Sequence, residues 1–413
     1  MSDQNSWAAY NALCQTALIL VVTQAGPVDT PLALIQMKHV KYQGERVREL
    51  IKSNAALLFA GVTTFVLMGA GQSLFGPALP AYARLFDITS GTAGLLVSAH
   101  WIGCFAGVTG MFFKGQGVTP RHVVLLMGLG AGMLAFSVGW WMTLVGAFVF
   151  GMGYGCSTVV FNPRVLRAFG DRGPSMLSLL NATFGIGAIG APLVFVLLNN
   201  DPALSFGVCA ALAAAIWLGA GAAGKSEHAP DKADVLPYKL HLPILGFGAA
   251  AIGLEACLIG LGPIALIAAG ETEVQAAKLL SAFFFAFLAA RVALIFVAHR
   301  VASFTLFLLA LAGACLTSLG AAIVAPGPFF AALGFCAGLF FPGFYVTASR
   351  KMGQDSRVAP TIIAAGLVGG IFSPLILSPW LEAMGERGFF WVVATITGLM
   401  ALLAIANLKS MNR

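Results

Sequence analysis

The sequence predicts an all-α membrane protein with about twelve transmembrane helices, and three observations lead to this fold class. Of its 413 residues, 59% are hydrophobic and only 9% are charged, whereas soluble domains carry about 25% charged residues. A chain this apolar cannot cover its surface with polar groups in water. From residue 55 onward it is a series of apolar runs of membrane-spanning size. Its basic residues gather in alternate connections between these runs.

The apolar runs show no alternation of polar and apolar residues with a period of two. They therefore predict helices rather than the strands of a membrane barrel. The first six runs are Ala55–Phe75, Ser90–Phe113, Val123–Val138, Trp141–Phe161, Met176–Leu198 and Pro202–Ala223. The next six are Leu242–Ala269, Leu279–Ala298, Val301–Ala325, Phe329–Ala348, Pro360–Leu377 and Gly388–Ile405.

Lysine and arginine are distributed very unevenly over the connections. With the amino terminus in the cytoplasm, 19 of the 23 basic residues fall in cytoplasmic segments. Three fall in outer segments, and Arg291 lies within a run. Because basic residues are retained on the cytoplasmic side, this predicts both termini inside and a multi-pass protein of the bacterial inner membrane. No basic patch with interleaved aromatic residues is present, so we expect no nucleic-acid partner.

A polar stretch divides the apolar runs into two sets of six. Residues 224–241 (GKSEHAPDKADVLPYKLH) contain two prolines and mixed charges, as a cytoplasmic linker would. The predicted domains are two six-helix bundles, 55–223 and 242–407, with a short tail at 408–413. The bundles echo each other, since Gly190-Ala191-Pro192-Leu193 in the fifth run matches Phe372-Ser373-Pro374-Leu375 in the eleventh.

The first 54 residues fit this scheme poorly. Ala8–Val22 is apolar but short, and it contains Asn11 and Gln15. No basic region precedes it, so it does not have the form of a signal peptide. We expect a cytoplasmic tail or an interfacial helix here, with a thirteenth span as the alternative.

Four short segments carry a family resemblance. The fourth run has Gly155-Cys156 followed by Asn162-Pro163, and the fifth has Leu180-Asn181 followed by FGIGAIGAP. The seventh has Gly253-Leu254-Glu255, and Arg291 in the eighth is followed nine residues later by Arg300. In these segments the chain resembles the major facilitator superfamily, and within it the fucose–proton symporter-like sugar permeases.

The resemblance implies a major facilitator fold of two six-helix repeats and alternating-access transport. It implies a small polar, sugar-like substrate with protons as the coupling ion, no cofactor and no enzymatic activity, and we expect a monomer in the lipid bilayer. Three departures qualify it: Thr158 stands where the sugar symporters carry an acid, the first run has no acid, and the loop containing Arg121 lacks the superfamily's Asp. An exporter of lipophilic compounds and a non-transporting scaffold or receptor therefore stay open as alternatives.

Two charged residues deep in the apolar runs are the main candidates for function. A charge at mid-span costs roughly 2.5–3.5 kcal/mol on insertion scales, so such residues usually have a role. Glu255 is interpreted as a substrate acceptor or proton site, the alternative being a neutral acid bonded to a neighbouring helix. Arg291 requires an acceptor, which we take to be Glu255 or the substrate, unless it extends to the inner interface. We expect these two residues to form the polar core of the site.

Uncharged and weakly basic polar residues extend this candidate site. His100 is a candidate proton relay, although a lone histidine in an apolar helix more often serves packing. The neutral candidates are expected to line a central cavity or to join helices by hydrogen bonds. They are Gln72, Thr158, Asn162, Asn181 and Tyr345.

Four arginines mark the cytoplasmic ends of runs. The resemblance implies that they latch an inner gate, whereas plain positive-inside anchoring would also explain them. They are Arg121, Arg164, Arg300 and Arg350.

One motif in the sequence is misleading. Residues 185–190 (GIGAIG) match the dinucleotide-binding pattern, but no predicted strand precedes them, and they lie inside an apolar run. Close helix packing explains these glycines better. No phosphate-binding loop is present, and the cysteine spacing suggests no metal site.

Overall fold

The computed structural model describes residues 49–114, 117–221, 238–297, 300–353, 355 and 357–412. The chain divides into two compact units, Met1–Ala55 and Ala56–Arg413. In the first unit, residues 49–53 are helical and the Asn54 side-chain amide donates to the Leu50 carbonyl at 3.1 Å. Most of the predicted amino-terminal tail, including Ala8–Val22, and most of the predicted linker lie outside the described residues.

Twelve long helices make up the described chain from residue 55 onward, which confirms the predicted all-α membrane fold. The first six are α1 (Ala55–Phe86), α2 (Leu95–Lys114), α3 (Pro120–Phe136), α4 (Trp140–Phe169), α5 (Gly173–Leu197) and α6 (Pro202–Gly219). The second six are α7 (Leu242–Gly260), α8 (Glu273–Val297), α9 (Ser303–Ile323), α10 (Pro326–Met352), α11 (Val358–Leu377) and α12 (Gly388–Asn412). Eleven are long and apolar enough to cross a membrane, and α3 is shorter, with 17 residues.

Several helices end elsewhere than the apolar runs predicted. The first run was expected to end at Phe75, but α1 continues through Pro77 and Pro80 to Phe86. Tertiary packing stabilises this extension, because the buried Tyr82 hydroxyl donates to the Leu134 carbonyl of α3 at 2.8 Å.

The seventh run shows the opposite difference. It was expected to be continuous over Leu242–Ala269, but α7 ends at Gly260 and a short separate helix, Gly262–Ala268, follows. Pro263 lies in the first turn of that second helix, where its missing N–H is tolerated but cannot continue the ladder of α7.

The two sets of six helices pack in the same pattern. In the first set, α4 packs against α2 and α3, and α3 also packs against α6; in the second, α10 packs against α8 and α9, and α9 against α12. Between the sets, α2 packs against α11 and α5 against α8. Each contact therefore has a counterpart six helices later, as two structural repeats require. We call the face with the α1–α2 and α7–α8 connections the outer face, following the distribution of basic residues.

Glycine allows two equivalent helix pairs to approach at backbone distance. A Cβ atom on Gly187 of α5 would overlap the Val66 carbonyl oxygen of α1. A Cβ atom on Gly369 of α11 would overlap the Ala249 carbonyl oxygen of α7. Small residues at helix crossings of this kind are the main means of tight association in lipid, where burial of apolar surface between helices gains little. Gly187, the second glycine of the segment that matched a dinucleotide motif, thus serves helix packing.

The second equivalent pair of crossings is just as close. A Cβ atom on Gly103 of α2 would overlap the Phe148 carbonyl oxygen of α4, and one on Gly334 of α10 would overlap that of Phe283 in α8. These crossings keep α4 against α2 and α10 against α8, and so keep each bundle closed on itself.

We expect Gly103→Ala to destabilise the protein, because the added methyl group forces α2 away from α4. Overpacking of this kind costs about 1–3 kcal/mol. Gly110→Ala on the same helix is the matched control, because a Cβ atom there meets nothing within 4 Å. The measurement is the apparent midpoint of thermal unfolding in detergent, which should fall for the first variant only. Equal midpoints for the two variants would contradict the packing described above.

Candidate functional site

Glu255 lies in the part of α7 that is held tightly against α11. Two residues before it, a Cβ atom on Gly253 would overlap the Ser373 hydroxyl of α11. The residue is partly accessible, but its Oε2 atom is buried and has no hydrogen-bond partner in the described chain. A buried polar atom without a partner costs about 1–3 kcal/mol, and more when it is charged. This carboxylate is therefore not explained by a structural hydrogen bond.

Arg291 lies in α8, one turn after Phe287. Its guanidinium carbon is 4.4 Å from the centre of the Phe287 ring, which is cation–π geometry. Its Nε atom is buried without a hydrogen-bond partner among the described residues. The ring covers a face of the guanidinium, while the N–H donors lie in its plane and remain available for an acceptor.

Glu255 and Arg291 lie close enough for their charges to attract each other through space. Tyr154 of α4, in the other bundle, lies within the same range of both residues. No ion pair within 4.0 Å joins Glu255 to Arg291; in the described chain, such pairs join Arg84 to Glu273 and Arg357 to Asp355. The opposite charges thus lie near each other without direct contact, which leaves hydrogen-bonding capacity for a ligand.

Two aromatic side chains, Trp101 of α2 and Tyr154 of α4, form what we call the aromatic wall. Their ring centres are 6.3 Å apart at an interplanar angle of 70°. A Cβ atom on Gly370 of α11 would lie 3.2 Å from the Trp101 ring, so this wall reaches the second bundle. The aromatic wall and the two charged residues therefore come from opposite halves of the protein.

His100 is enclosed by aromatic rings behind the aromatic wall. Its ring centre lies 5.2 Å from that of Tyr154 and 5.0 Å from that of Phe75. The residue is 1% exposed, and both ring nitrogens lack a partner in the described chain. The hypothesis that His100 relays protons stays a prediction, and these surroundings equally fit a packing role.

The neutral residues predicted on α1 and α4 are placed differently from one another. Gln72 is buried, and its Oε1 atom has no partner among the described residues; the same holds for Oδ1 of Asn162. Thr158 donates to the Gly155 carbonyl of its own helix at 2.9 Å. Gln72 and Asn162 thus have an unused acceptor, whereas Thr158 is satisfied locally.

Asn181 and Tyr345 have local contacts. The exposed Asn181 amide donates to the Leu177 carbonyl of its own helix at 2.9 Å. The Tyr345 ring lies 5.3 Å from that of Phe341, also in its own helix. That Asn181 and Tyr345 line a central cavity stays a prediction.

Three of the four predicted gate arginines lie at or beyond helix ends, whereas Arg164 lies inside α4, because this helix continues past the predicted run to Phe169. Arg121 of α3 lies 5.2 Å from the Trp217 ring of α6. Arg164 of α4 donates to the Val118 carbonyl at 3.1 Å. Arg300 and Arg350 are exposed. The contacts of Arg121 and Arg164 are within the first bundle, and a gate role stays a prediction.

The outer face joins the two bundles through polar and close backbone contacts. Arg84 at the end of α1 forms an ion pair with Glu273 at the start of α8. The Ser90 backbone N–H donates to Glu382 at 3.0 Å. A Cβ atom on Gly94 would lie 2.6 Å from that of Ser378. These contacts close the outer ends of the bundles against each other.

The aromatic wall and Phe287 were not among the predicted site residues. A signal was present on α4, where Tyr154, Thr158 and Asn162 follow at intervals of four and so lie on one face of the helix. Nothing comparable pointed to Trp101 or Phe287, because single aromatic residues are common in apolar helices. Within the described residues, no group of three or more His, Cys, Asp or Glu could hold a metal ion.

Comparison with known proteins identifies the family. The family model for the Major Facilitator Superfamily matches residues 61–364, and no curated protein matches the sequence. The fold is similar to that of a D-xylose–proton symporter (TM-score 0.68, 13% identity, 84% of this chain and 96% of that one). The fold is also similar to that of the nucleoside transporter NupG (TM-score 0.68, 14% identity, 85% of this chain and 99% of that one).

A third solved structure of similar fold is the Escherichia coli fucose–proton symporter FucP. Its TM-score is 0.57 at 16% identity, over 86% of this chain and 98% of that one. At these identities the structures support the fold, while the family match covers well over half of the sequence. Together with the repeated six-helix packing, this match confirms the resemblance seen in the sequence: the chain belongs to the Major Facilitator Superfamily and is a multi-pass membrane transporter.

Proposed function

We propose that this protein is a secondary active transporter that moves a small polar, sugar-like solute together with protons by alternating access. One observation carries the proposal: a carboxylate and a guanidinium, both with unused hydrogen-bonding atoms, lie near Tyr154, which belongs to the aromatic wall of the other bundle. A site with few fixed polar groups and aromatic surfaces suits a small polar ligand with apolar faces. The similar folds of xylose–proton and fucose–proton symporters are in keeping with this substrate class.

In this proposal, the charged residues and the aromatic wall bind different parts of the solute. Glu255 accepts a hydrogen bond from a solute hydroxyl, and Arg291 donates to an oxygen. Trp101 and Tyr154 contact the C–H face of the ring. Because the charged residues belong to one bundle and the aromatic wall to the other, a bound solute contacts both bundles and favours their approach.

Alternating access requires the bundles to tilt about the interface between them. That interface runs along α2 with α11 and α5 with α8. Among the described residues, few side-chain hydrogen bonds cross it; examples run from the Ser281 hydroxyl to the Ile189 carbonyl at 2.6 Å and from the Ser98 hydroxyl to the Ile371 carbonyl at 3.3 Å. The outer contacts through Arg84 and Glu273 favour a form that is closed outside, with the site open to the cytoplasm. Both termini are cytoplasmic and the membrane is the bacterial inner membrane in this proposal.

Glu255 is the proposed proton carrier. It lies in the middle of α7, in surroundings that disfavour an uncompensated charge. When the Glu255 carboxylate is ionised, the positive charge of Arg291 balances it. When Arg291 is paired with another group, a bound proton neutralises Glu255 instead. A carboxylate in this position can therefore bind and release protons as the site changes partner and exposure.

We expect Glu255→Gln to reduce uptake driven by a pH gradient by about tenfold or more, since the amide cannot carry a proton. The measurement is uptake of labelled sugars into proteoliposomes with and without an imposed gradient. Glu386→Gln, an exposed outer glutamate, is the matched control and should behave like the unaltered protein. Unchanged uptake and unchanged pH dependence in Glu255→Gln would exclude this residue from coupling. Transport of lipophilic dyes but of no sugar would favour an exporter instead.

We expect Glu273→Gln to loosen the outer closure. The Arg84–Glu273 pair is partly exposed, with side-chain exposures of 61% and 29%, and such pairs contribute about 0.2–1 kcal/mol. The outward-open fraction should therefore rise by up to about fivefold. The measurement is the reaction rate of a membrane-impermeant maleimide with Val97→Cys, because Val97 is buried near Gly260 at the outer contact.

The control for this experiment is Lys278→Gln, which removes a different exposed charge from α8 near the outer face. Reversing both charges, with Arg84→Glu and Glu273→Arg together, should restore slow labelling. If Glu273→Gln and Lys278→Gln label at the same rate, the ion pair has no part in the closure.

A further inference from the structure

Arg291 lacks an ionic partner in direct contact. In the described chain, no hydrogen bond or ion pair joins its guanidinium to another side chain, and Glu255 attracts it only through space. A structural charge pair would be in contact, because partial pairing leaves both groups poorly satisfied. The guanidinium is thus held on Phe287, with its donors free for an external acceptor.

The chemistry of the guanidinium indicates which acceptor fits best. Its planar fork of N–H donors matches the two oxygens of a carboxylate, and charge-assisted bonds of this kind are roughly twice as strong as neutral ones. A neutral hydroxyl would satisfy one donor and would leave the positive charge balanced only by the more distant Glu255.

We propose that the substrate is a sugar acid, a small polyhydroxylated carboxylate that binds with its carboxylate on Arg291 while a proton binds to Glu255. This inference rests on the proposed function and narrows its substrate class. The aromatic wall of Trp101 and Tyr154 contacts the sugar portion, as it would for a neutral sugar. The ligand's negative charge distinguishes this proposal.

The two binding events depend on each other because both acids compete for one guanidinium. Without ligand, ionised Glu255 balances Arg291 through space. When a substrate carboxylate occupies Arg291, Glu255 is left beside a second negative charge and takes up a proton. One anion and one proton then enter together, and the net charge of the site does not change. By linkage, protonation of Glu255 strengthens anion binding to the same extent.

Other ionisable groups near Glu255 do not replace it in this role. Tyr154 of α4 lies within electrostatic range of it, and α11 contains no ionisable residue. Among the described side chains, the remaining ionisable groups on other helices that contact α7 lie on α1, α2, α9 and α10. They are Tyr82 and Arg84, which is paired with Glu273; His100 and Cys104; Cys315; and Cys336, Tyr345, Arg350 and Lys351. Of these, His100 has an unpartnered ring next to Tyr154, so the test must separate it from Glu255.

The test uses the full chain purified in detergent and matched pairs of probes at equal ionic strength. The pairs are galactose with galacturonate, glucose with glucuronate, and sorbitol with gluconate. Calorimetric titration should detect at least one acid that binds about tenfold or more tightly than its neutral partner. That preference should disappear in Arg291→Gln and persist in reduced form in Arg291→Lys, which keeps the charge but not the planar fork.

Proton uptake provides the second measurement. In weakly buffered solution, binding of the acid should take up about one proton per site, and its affinity should rise as the pH is lowered. Both effects should vanish in Glu255→Gln and persist in His100→Gln. Thermal unfolding of each variant checks that it is folded.

Each result is decisive. If no acid binds more tightly than its neutral partner, or if the preference survives in Arg291→Gln, the proposal is wrong. Neutral sugars that bind and are transported in that case would leave the broader proposed function intact. Proton uptake that persists in Glu255→Gln and is lost in His100→Gln would also overturn the assignment.

Discussion

Direct backbone contact between helices is the constraint on which the rest of this structure depends. Lipid solvates apolar side chains well, so helix association in a bilayer must come from close packing and hydrogen bonds. Gly187 and Gly369 remove the Cβ atom at equivalent crossings of the two bundles, and Gly103 and Gly334 do so at a second pair. Because Gly369 holds α7 against α11, the position of Glu255 on α7 is fixed relative to α11.

The two bundles place charged side chains on one side of the proposed site and aromatic side chains on the other. One bundle supplies Glu255 and Arg291, and the other supplies Trp101 and Tyr154. Charges without direct partners in lipid-facing helices are unfavourable. We propose that a ligand satisfies them for part of a transport cycle. A tightly paired Glu255 and Arg291 would be more stable and would leave nothing for a ligand to bind.

Much of the fold followed from residue patterns, but helix ends and the aromatic wall did not. The first apolar run, Ala55–Phe75, did not predict a helix beyond Phe75. Packing of Tyr82 on Leu134 stabilises the helix beyond it. The charged candidates were identifiable because a charge in an apolar run is rare. Trp101 was not, since one aromatic residue among many gives no signal until its neighbours in space are known.

The sequence by itself determined that the protein lies in a membrane, the number of its long helices and the two-repeat plan. These properties depend on how residues of each type are distributed along the chain, because each segment enters the membrane according to its own length, apolarity and flanking charges. Only the tertiary structure decided that Glu255 and Arg291 lie close without an ion pair, and that Tyr154 of the other bundle lies near both. Such relations depend on how helices far apart in sequence cross, and that is set by atomic contacts such as those at Gly253 and Gly369.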